Sequence, residues 1–215
     1  MPSWPKRGLS SPRVSNMRTV ETIADLEALY DAPSPRSLTK VAHQLTPLYR
    51  RWITAARFVV VSTVGQSGAD GSPRGDDGPV VRIRDAQTLL LPDWRGNNRL
   101  DTLRNIVEDG RISLMFMIPG ENNVVRVNGQ AVLAVDSALT GQFEQGGKHP
   151  RSVVVITIDE LYFQCAKAIM RSRLWAEAEK ADVPTAGAFL REQAVYFDAD
   201  GYDSAYLEYA KTKMW

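Results

Sequence analysis

The middle of the chain consists of short strand-like runs, several of them joined by connections too short for a parallel crossover. Each run is rich in Val, Ile, Leu or Phe, or alternates apolar with polar residues, as strands do. The six runs are residues 57–64, 80–84, 88–91, 112–118, 124–135 and 152–164. Parallel neighbours need a crossover of a dozen or more residues. The pattern therefore predicts a mainly antiparallel sheet, with residues 65–71 as a turn or hairpin segment and a β-bulge at Gly129.

Helical periodicity flanks this region on both sides. Apolar residues at helical spacing occupy residues 19–30, 34–45 and 46–53, where Ser34 and Thr46 are candidate N-caps followed by proline. Further helices are predicted at residues 99–107, 137–143 after Asp136, 165–175, 186–195 and 202–214. Sheet and helices together predict an α+β or mainly β chain: a six-stranded antiparallel barrel with N- and C-terminal helices.

The composition restricts the partners and the kinds of site. The 215 residues carry a formal net charge of +1, so no overall charge favours nucleic acid or a membrane surface. No apolar run reaches the length of a membrane span. The single cysteine, Cys165, excludes a disulfide within the chain, and only two histidines, His43 and His149, accompany it, so no metal site is expected. Cys165 itself is expected to be a small buried thiol.

The first 18 residues differ in character from the rest. They contain four cations, several serines, three prolines and no acid. The prolines disfavour an amphipathic helix, so a flexible arm is preferred to a transit peptide. A third interpretation is that Met17 is the natural start. Residues 19–215 are expected to form a single domain.

Two polar clusters beside the strands are candidates for binding an anion. The first is Ser-Pro-Arg-Gly-Asp at residues 72–76, whose proline stiffens the chain and whose glycine permits close approach of a ligand. The second is Arg-Gly-Asn-Asn-Arg at residues 95–99, where Asn97 or Asn98 is expected to cap the following helix. A helix N-terminus and a guanidinium both favour phosphate. The clusters predict a site for a phosphorylated cofactor, and the alternatives are a polar hairpin loop and a simple helix cap.

A third cluster follows the last strand. Lys167 and Arg171 are four residues apart on one helix face, and Arg173 comes shortly after. Like charges at this spacing repel each other unless an anion lies between them, and the alternative is a solvated face. Trp94 could stack on a cofactor ring or cover core.

The order of these segments resembles the pyridoxamine 5′-phosphate oxidase-like superfamily of FMN-binding split barrels. The matching segments are residues 72–76, 80–83, 89–93, 96–106 and 125–129, and the tail segments 163–168 and 171–175. More narrowly, the chain is similar to a bacterial subgroup of FMN-dependent enzymes whose substrate is unassigned. The resemblance covers most of the chain from about Thr19 onward.

The resemblance implies a six-stranded split β-barrel that works as a homodimer, with FMN in two clefts at the subunit interface. It implies that the first cluster lies along the flavin, that the second lies near the phosphate, and that the tail cluster reaches the phosphate or a substrate anion. The candidate cofactor-binding residues are Arg74, Gly75, Asp76, Asn97, Asn98, Arg99, Arg126, Lys167, Arg171 and Arg173. No side chain is assignable as a catalytic acid or base.

The expected function is that of a cytoplasmic FMN-dependent oxidoreductase acting on a small molecule. The oxidase proper recognises pyridoxal phosphate through residues for which this sequence has no identifiable counterpart. The sequence therefore does not identify the substrate. Three alternatives remain: a non-catalytic flavin or haem binder, with His43 or His149 as axial ligand to the haem; an enzyme using a deazaflavin with an acidic tail; and an interaction domain without a ligand.

Overall fold

A computed structural model describes residues 17–176 and 181–214 of the chain. The arm predicted at residues 1–18 therefore falls almost entirely outside the described residues. Within those that are described, no helix is long and apolar enough to cross a membrane.

The described strands form one antiparallel sheet in the order β2-β1-β5-β6-β7-β4-β3. Every neighbouring pair is antiparallel, which confirms the expected arrangement. The strands are β1 (Phe58–Gly65), β2 (Gly68–Gly75), β3 (Arg82–Ile83), β4 (Thr88–Pro92), β5 (Arg111–Met117), β6 (Val124–Ala134) and β7 (Val153–Gln164). The sheet thus has seven strands where six were expected.

The additional strand is β2, which contains most of the first polar cluster. Residues 68–75 pair with β1 along their whole length, from Gly65 opposite Gly68 to Phe58 opposite Gly75. β1 and β2 thus form a hairpin, which confirms the hairpin interpretation of residues 65–71, although most of these residues belong to the strands. The alternative of a polar hairpin loop at residues 72–76 does not hold, because residues 72–75 are part of β2. β2 lies at the edge of the sheet, where a strand tolerates Pro73 and several glycines because only one side of its backbone needs partners.

The helices occur close to their predicted places, although most are shorter. They are α1 (Ile23–Glu27), α2 (Pro35–Thr39), α3 (Pro47–Ala55), α4 (Asp101–Glu108), α5 (Ser137–Thr140), α6 (Lys167–Ser172), α7 (Ala186–Gln193) and α8 (Ala199–Lys211). The caps at Thr46 and Asp136 are confirmed, because their side chains accept hydrogen bonds from backbone N–H groups of the first turn. Ser34 occupies the N-cap position without such a bond. α6 ends early because Arg173 adopts a left-handed conformation with φ 51°.

The core is formed by the inward-facing residues of the sheet, covered on one side by α4. Residues alternate along β1 and β5 so that Val59, Val61, Leu114 and Phe116 are fully buried. α4 packs against β1 and β2 and contributes Ile106. Burial of such a side chain stabilises the fold by about 1.5–3 kcal/mol. The core therefore fixes the first turn of α4 next to β2.

The β-bulge predicted at Gly129 is confirmed. Asn128 lies opposite Glu160 but Gly129 lies opposite Ile158, so that Asp159 is the extra residue. Its carbonyl oxygen accepts a hydrogen bond from His43 Nδ1 at 2.8 Å. Cys165, by contrast, is exposed, so the prediction of a buried thiol was wrong. It directly follows the last residue of β7 and lies beyond the part of the strand that the core covers.

Candidate functional site

A cleft of about 1120 Å³ opens where β2, the loop after β4 and the segment before β7 meet the start of α4. Two of the three predicted clusters contribute to it. The candidate residues that line it are Arg74, Gly75, Asp76, Asn97, Asn98 and Arg99. The structure therefore brings six of the ten predicted residues together, although they come from two separate segments.

One wall of the cleft, here named the α4 side, is built on β2 and the first turn of α4. Arg74 Nη2 donates a long hydrogen bond of 3.5 Å to the Thr102 hydroxyl. The buried Thr102 also donates to Asp70 and lies 3.2 Å from Ser72 Oγ. These bonds join the strand to the helix. They hold a guanidinium beside the helix N-terminus, which is a favourable place for an anion.

The start of α4 has no side-chain cap. Its N-cap residue is Leu100, and no side chain accepts a hydrogen bond there. The prediction that Asn97 or Asn98 caps this helix was wrong. Asn98 takes a left-handed φ of 60°, and the side chain of Asn97 accepts instead from the Arg99 N–H at 2.9 Å. Free N–H groups in the first turn of a helix can bind an anion directly.

Arg99 is charged and accessible at this point, with its side chain 67% exposed. Its Nε donates to Asp101, and this hydrogen bond raises the pKa of the guanidinium further. Asp101 is the first residue of α4, where a carboxylate interacts favourably with the helix dipole. An anion bound at the α4 side therefore competes with Asp101 for Arg99.

Asp76 holds three segments of the chain together. Its carboxylate accepts hydrogen bonds from Trp94 Nε1, from Gln145 Nε2 (both 2.9 Å) and from the Asp77 N–H at 2.7 Å. Trp94 belongs to the loop after β4, and Gln145 to the segment that leads to β7. The carboxylate is thus a positioning group that fixes the walls of the cleft relative to each other.

Asp76→Asn is expected to lower the free energy of unfolding by about 1–2 kcal/mol, because charge-assisted hydrogen bonds to a half-buried carboxylate are lost. Urea denaturation measures this change. Asp77→Asn is the matched control: its side chain is 86% exposed and lies 3.7 Å from Arg57, so little change is expected. Equal effects of the two substitutions would contradict the role given to Asp76.

Asp93 is a half-buried carboxyl among the residues that line the cleft. Burial raises its pKa, and the charge of Arg74 lowers it less strongly. The folded state therefore favours the protonated form. This contribution to stability is fully present below the ordinary value of 3.8 and is lost as the pH rises through the raised pKa of the folded state.

Asp93→Asn is accordingly expected to raise the melting temperature at pH 7, with the gain shrinking as the pH is lowered to 4. Thermal unfolding monitored by circular dichroism across this range tests it. Asp85→Asn should act in the opposite direction, because a hydrogen bond from the Gln87 N–H lowers the pKa of Asp85. A gain for Asp93→Asn that does not vary with pH would show that burial of charge is not its cause.

Another part of the lining, here named the β4 side, combines Arg95 of the second predicted cluster with three residues outside the three clusters. Arg95, Lys148, His149 and Arg151 line it. Gly146 and Gly147 have φ values of 56° and 74° and form a tight turn, closed by two hydrogen bonds of 3.0 Å between Gln145 and Lys148. The glycine pair was the available signal, because both residues favour a tight turn in the segment that leads to β7.

The other four predicted residues do not line this cleft. Arg126 lies between the buried Val125 and Val127 on β6, so its side chain points away from the core. Its Nε atom is buried and has no hydrogen-bond partner among the described residues, and its guanidinium lies 5.5 Å from the ring of Tyr162. The tail cluster, Lys167, Arg171 and Arg173, lies on α6 and at its C-terminal end.

No group of three or more potential metal ligands occurs within residues 17–176 and 181–214. The donors around the cleft are instead guanidinium, amide and backbone N–H groups, which suit an oxyanion.

Comparison with known proteins gives one match by sequence. The sequence model of the family described as pyridoxamine 5′-phosphate oxidase matches residues 45–165, which is more than half of the chain. No curated protein matches the chain significantly.

Several solved structures are distantly similar. HupZ of Group A Streptococcus is 18% identical with a TM-score of 0.47, and the match covers 55% of this chain and 93% of that one. A candidate pyridoxamine 5′-phosphate oxidase from Lactobacillus delbrueckii is 19% identical, with a TM-score of 0.46 and coverages of 56% and 95%. An FMN-binding protein from Syntrophomonas wolfei is 15% identical, with a TM-score of 0.40 and coverages of 53% and 86%.

Proposed function

Because the chain belongs to the pyridoxamine 5′-phosphate oxidase family, we propose that it is an FMN-dependent oxidoreductase acting on a small molecule. The observation that carries the proposal is the α4 side of the cleft. There an uncapped helix N-terminus, Arg74 and Arg99 converge on one place. A phosphate monoester carries a charge of about −1.5 to −2 at pH 7 and accepts several hydrogen bonds, which this set of donors can supply.

The residues around the cleft fit FMN in size as well as in charge. Ligand pockets are commonly about 300–1,000 Å³, and this cleft is slightly larger. Val80, Leu91 and Trp94 add apolar surface to its lining, against which a flat ring can pack. When bound, the flavin supplies the hydride-transfer chemistry, while the protein binds and orients it. Arg74 and Arg99 would hold the phosphate, and Asp76 would keep the walls in place.

We further propose that the site is completed in a homodimer. Two observations support this. The ten candidate residues fall into two groups, of which only one lines the cleft of a single protomer. In the other group, Arg126 has a buried Nε atom without a hydrogen-bond partner among the described residues. A second protomer that placed its own Arg126 and tail cluster near the ring would give these cations an anionic partner.

The test is the visible spectrum of the purified full-length protein, with mass spectrometry of any released chromophore. We expect the two bands of an oxidised flavin and the mass of FMN. The mass of a deazaflavin, or the spectrum of a haem, would show that this group is the cofactor and that FMN is not. A colourless protein that takes up no added FMN would overturn the proposal. Light scattering of the loaded protein tests the dimer separately.

A further inference from the structure

We propose that the C-terminal arm, defined here as residues 185–214 with α7 and α8, is a movable cover of the cleft, and that Met214 at its end closes over the bound cofactor. The inference rests on the proposed function, because it assumes that FMN occupies the cleft. It goes beyond that function by naming the element that admits the cofactor and retains it.

The end of the arm lies at the cleft, although it is far away in sequence from the rest of the lining. Met214 lines the cleft, and every other lining residue lies at position 151 or earlier. α8 has 13 residues and is therefore about 20 Å long. Leu207 in this helix is 71% exposed, whereas Ala210 and Lys213 nearer its end are half-buried. The contact of α8 with the cleft is thus confined to the last residues of the arm.

The two helices of the arm are firmly joined to each other. The Gly187 N–H donates to Asp203 Oδ1 at 2.8 Å, which connects the first turn of α7 to α8. A Cβ atom at Gly187 would lie 2.5 Å from the carbonyl oxygen of Ala199, so this close approach of the helices requires glycine. The ring of Tyr202 lies 5.5 Å from the ring of Phe197, in the loop between the helices. α7 and α8 can therefore move as one unit.

The attachment of the arm to the barrel is slight by comparison. Within residues 17–176 and 181–214, α7 and α8 make extensive contact only with each other. Segments with few contacts to the core open at a low free energy, and lids over ligand sites are drawn from such segments. A ligand that contacts the arm only in its closed position shifts the population towards that position.

The side chain at the end of the arm suits contact with a flat ring. The thioether of methionine is flexible and polarizable, and it packs favourably against aromatic systems. Met214 is 53% exposed, so a large part of its apolar surface is available to a ligand. Burial of this surface against a ring is favourable and also excludes water from the cleft.

The experiment measures hydrogen–deuterium exchange of the full-length protein with and without FMN. We expect FMN to slow exchange in α8 about tenfold or more, because closure lowers the population of the open arm, and to leave α1, which does not line the cleft, unchanged. Met214→Ser should release FMN about threefold faster or more, measured by the rise in flavin fluorescence after dilution, because an apolar contact is lost. Leu207→Ser is the matched control, since Leu207 lies on the same helix and does not line the cleft.

A short bismaleimide crosslinker tests the position of the arm without flavin. In a Cys165→Ser background, Met214→Cys combined with Leu100→Cys should be crosslinked within one chain, because both positions line the cleft. Leu207→Cys combined with Leu100→Cys should not. Absence of the first crosslink, or a link formed only between two chains, would overturn the inference.

The outcomes separate the two proposals. If FMN is taken up but exchange in α8 and release from Met214→Ser are unchanged, the arm is not a cover and the proposed function stands. The same conclusion follows if Leu207→Ser accelerates release as much as Met214→Ser does. If no FMN is taken up and the crosslink forms, the proposed function fails, and the arm still covers the cleft.

Discussion

Replacing Arg99 by alanine is expected to weaken FMN binding by about 1.5–3 kcal/mol, which is the usual contribution of one charge-assisted hydrogen bond. This corresponds to a loss of affinity of about tenfold to somewhat more than a hundredfold. The physical reason is that Arg99 lies beside the uncapped first turn of α4, where its guanidinium and the free N–H groups can bind the same phosphate. Quenching of FMN fluorescence on titration with protein measures the dissociation constant.

Two further variants sharpen this test. Arg104→Ala removes an exposed cation from the same helix, outside the cleft, and should leave FMN affinity unchanged. Asp101→Asn removes the carboxylate that pairs with Arg99 and should strengthen binding, because the phosphate no longer competes with it. Unchanged affinity in Arg99→Ala would mean that the phosphate does not lie at the α4 side.

Gly129→Ala is expected to lower the free energy of unfolding by about 3 kcal/mol. This is the largest loss of stability expected for any substitution described here. A Cβ atom at this position would lie 2.0 Å from the carbonyl oxygen of Thr157 on β7. Backbone atoms cannot move aside as a flexible side chain can, so the pairing of β6 with β7 must distort. For a protein of this size the melting temperature should fall by about 6–12 °C.

Gly71→Ala is the control for this prediction. Gly71 also lies in a strand, and no atom lies within 4 Å of where its Cβ would be. Alanine there should be neutral or stabilising by up to about 1 kcal/mol, because the unfolded chain loses conformational freedom. Similar destabilisation by both substitutions would indicate a general intolerance of strand residues to change, without a special role for the bulge.

The strands with strong apolar patterns could be predicted from the sequence, and β2 could not. Residues 57–64 are rich in Val and Phe, as a buried strand is, and the structure buries Val59 and Val61. The sequence of β2, Gly-Ala-Asp-Gly-Ser-Pro-Arg-Gly, has no such pattern and few residues that favour strands. It is a strand because β1 offers it backbone hydrogen-bond partners, which is information from the fold.

The α4 side of the site could also be predicted, because its residues lie in two compact motifs. Arg151 on the β4 side could not, since its position beside the cleft follows from the pairing of β4 with β7. The predicted cap at α4 was wrong, because the N-cap residue is Leu100 and the Asn97 side chain accepts from the Arg99 N–H, one residue before that position. Assignment of Arg126 and the tail cluster to a cofactor stays a prediction.

The position of β2 at the edge of the sheet has a consequence for solubility. An unpaired strand edge can recruit a strand from another molecule, and such edges are common starting points for aggregation. Pro73 cannot donate a backbone hydrogen bond, and Asp70 and Arg74 add charge to the same strand. These residues thus oppose strand addition, so a variant of β2 richer in Val or Ile would lose this protection.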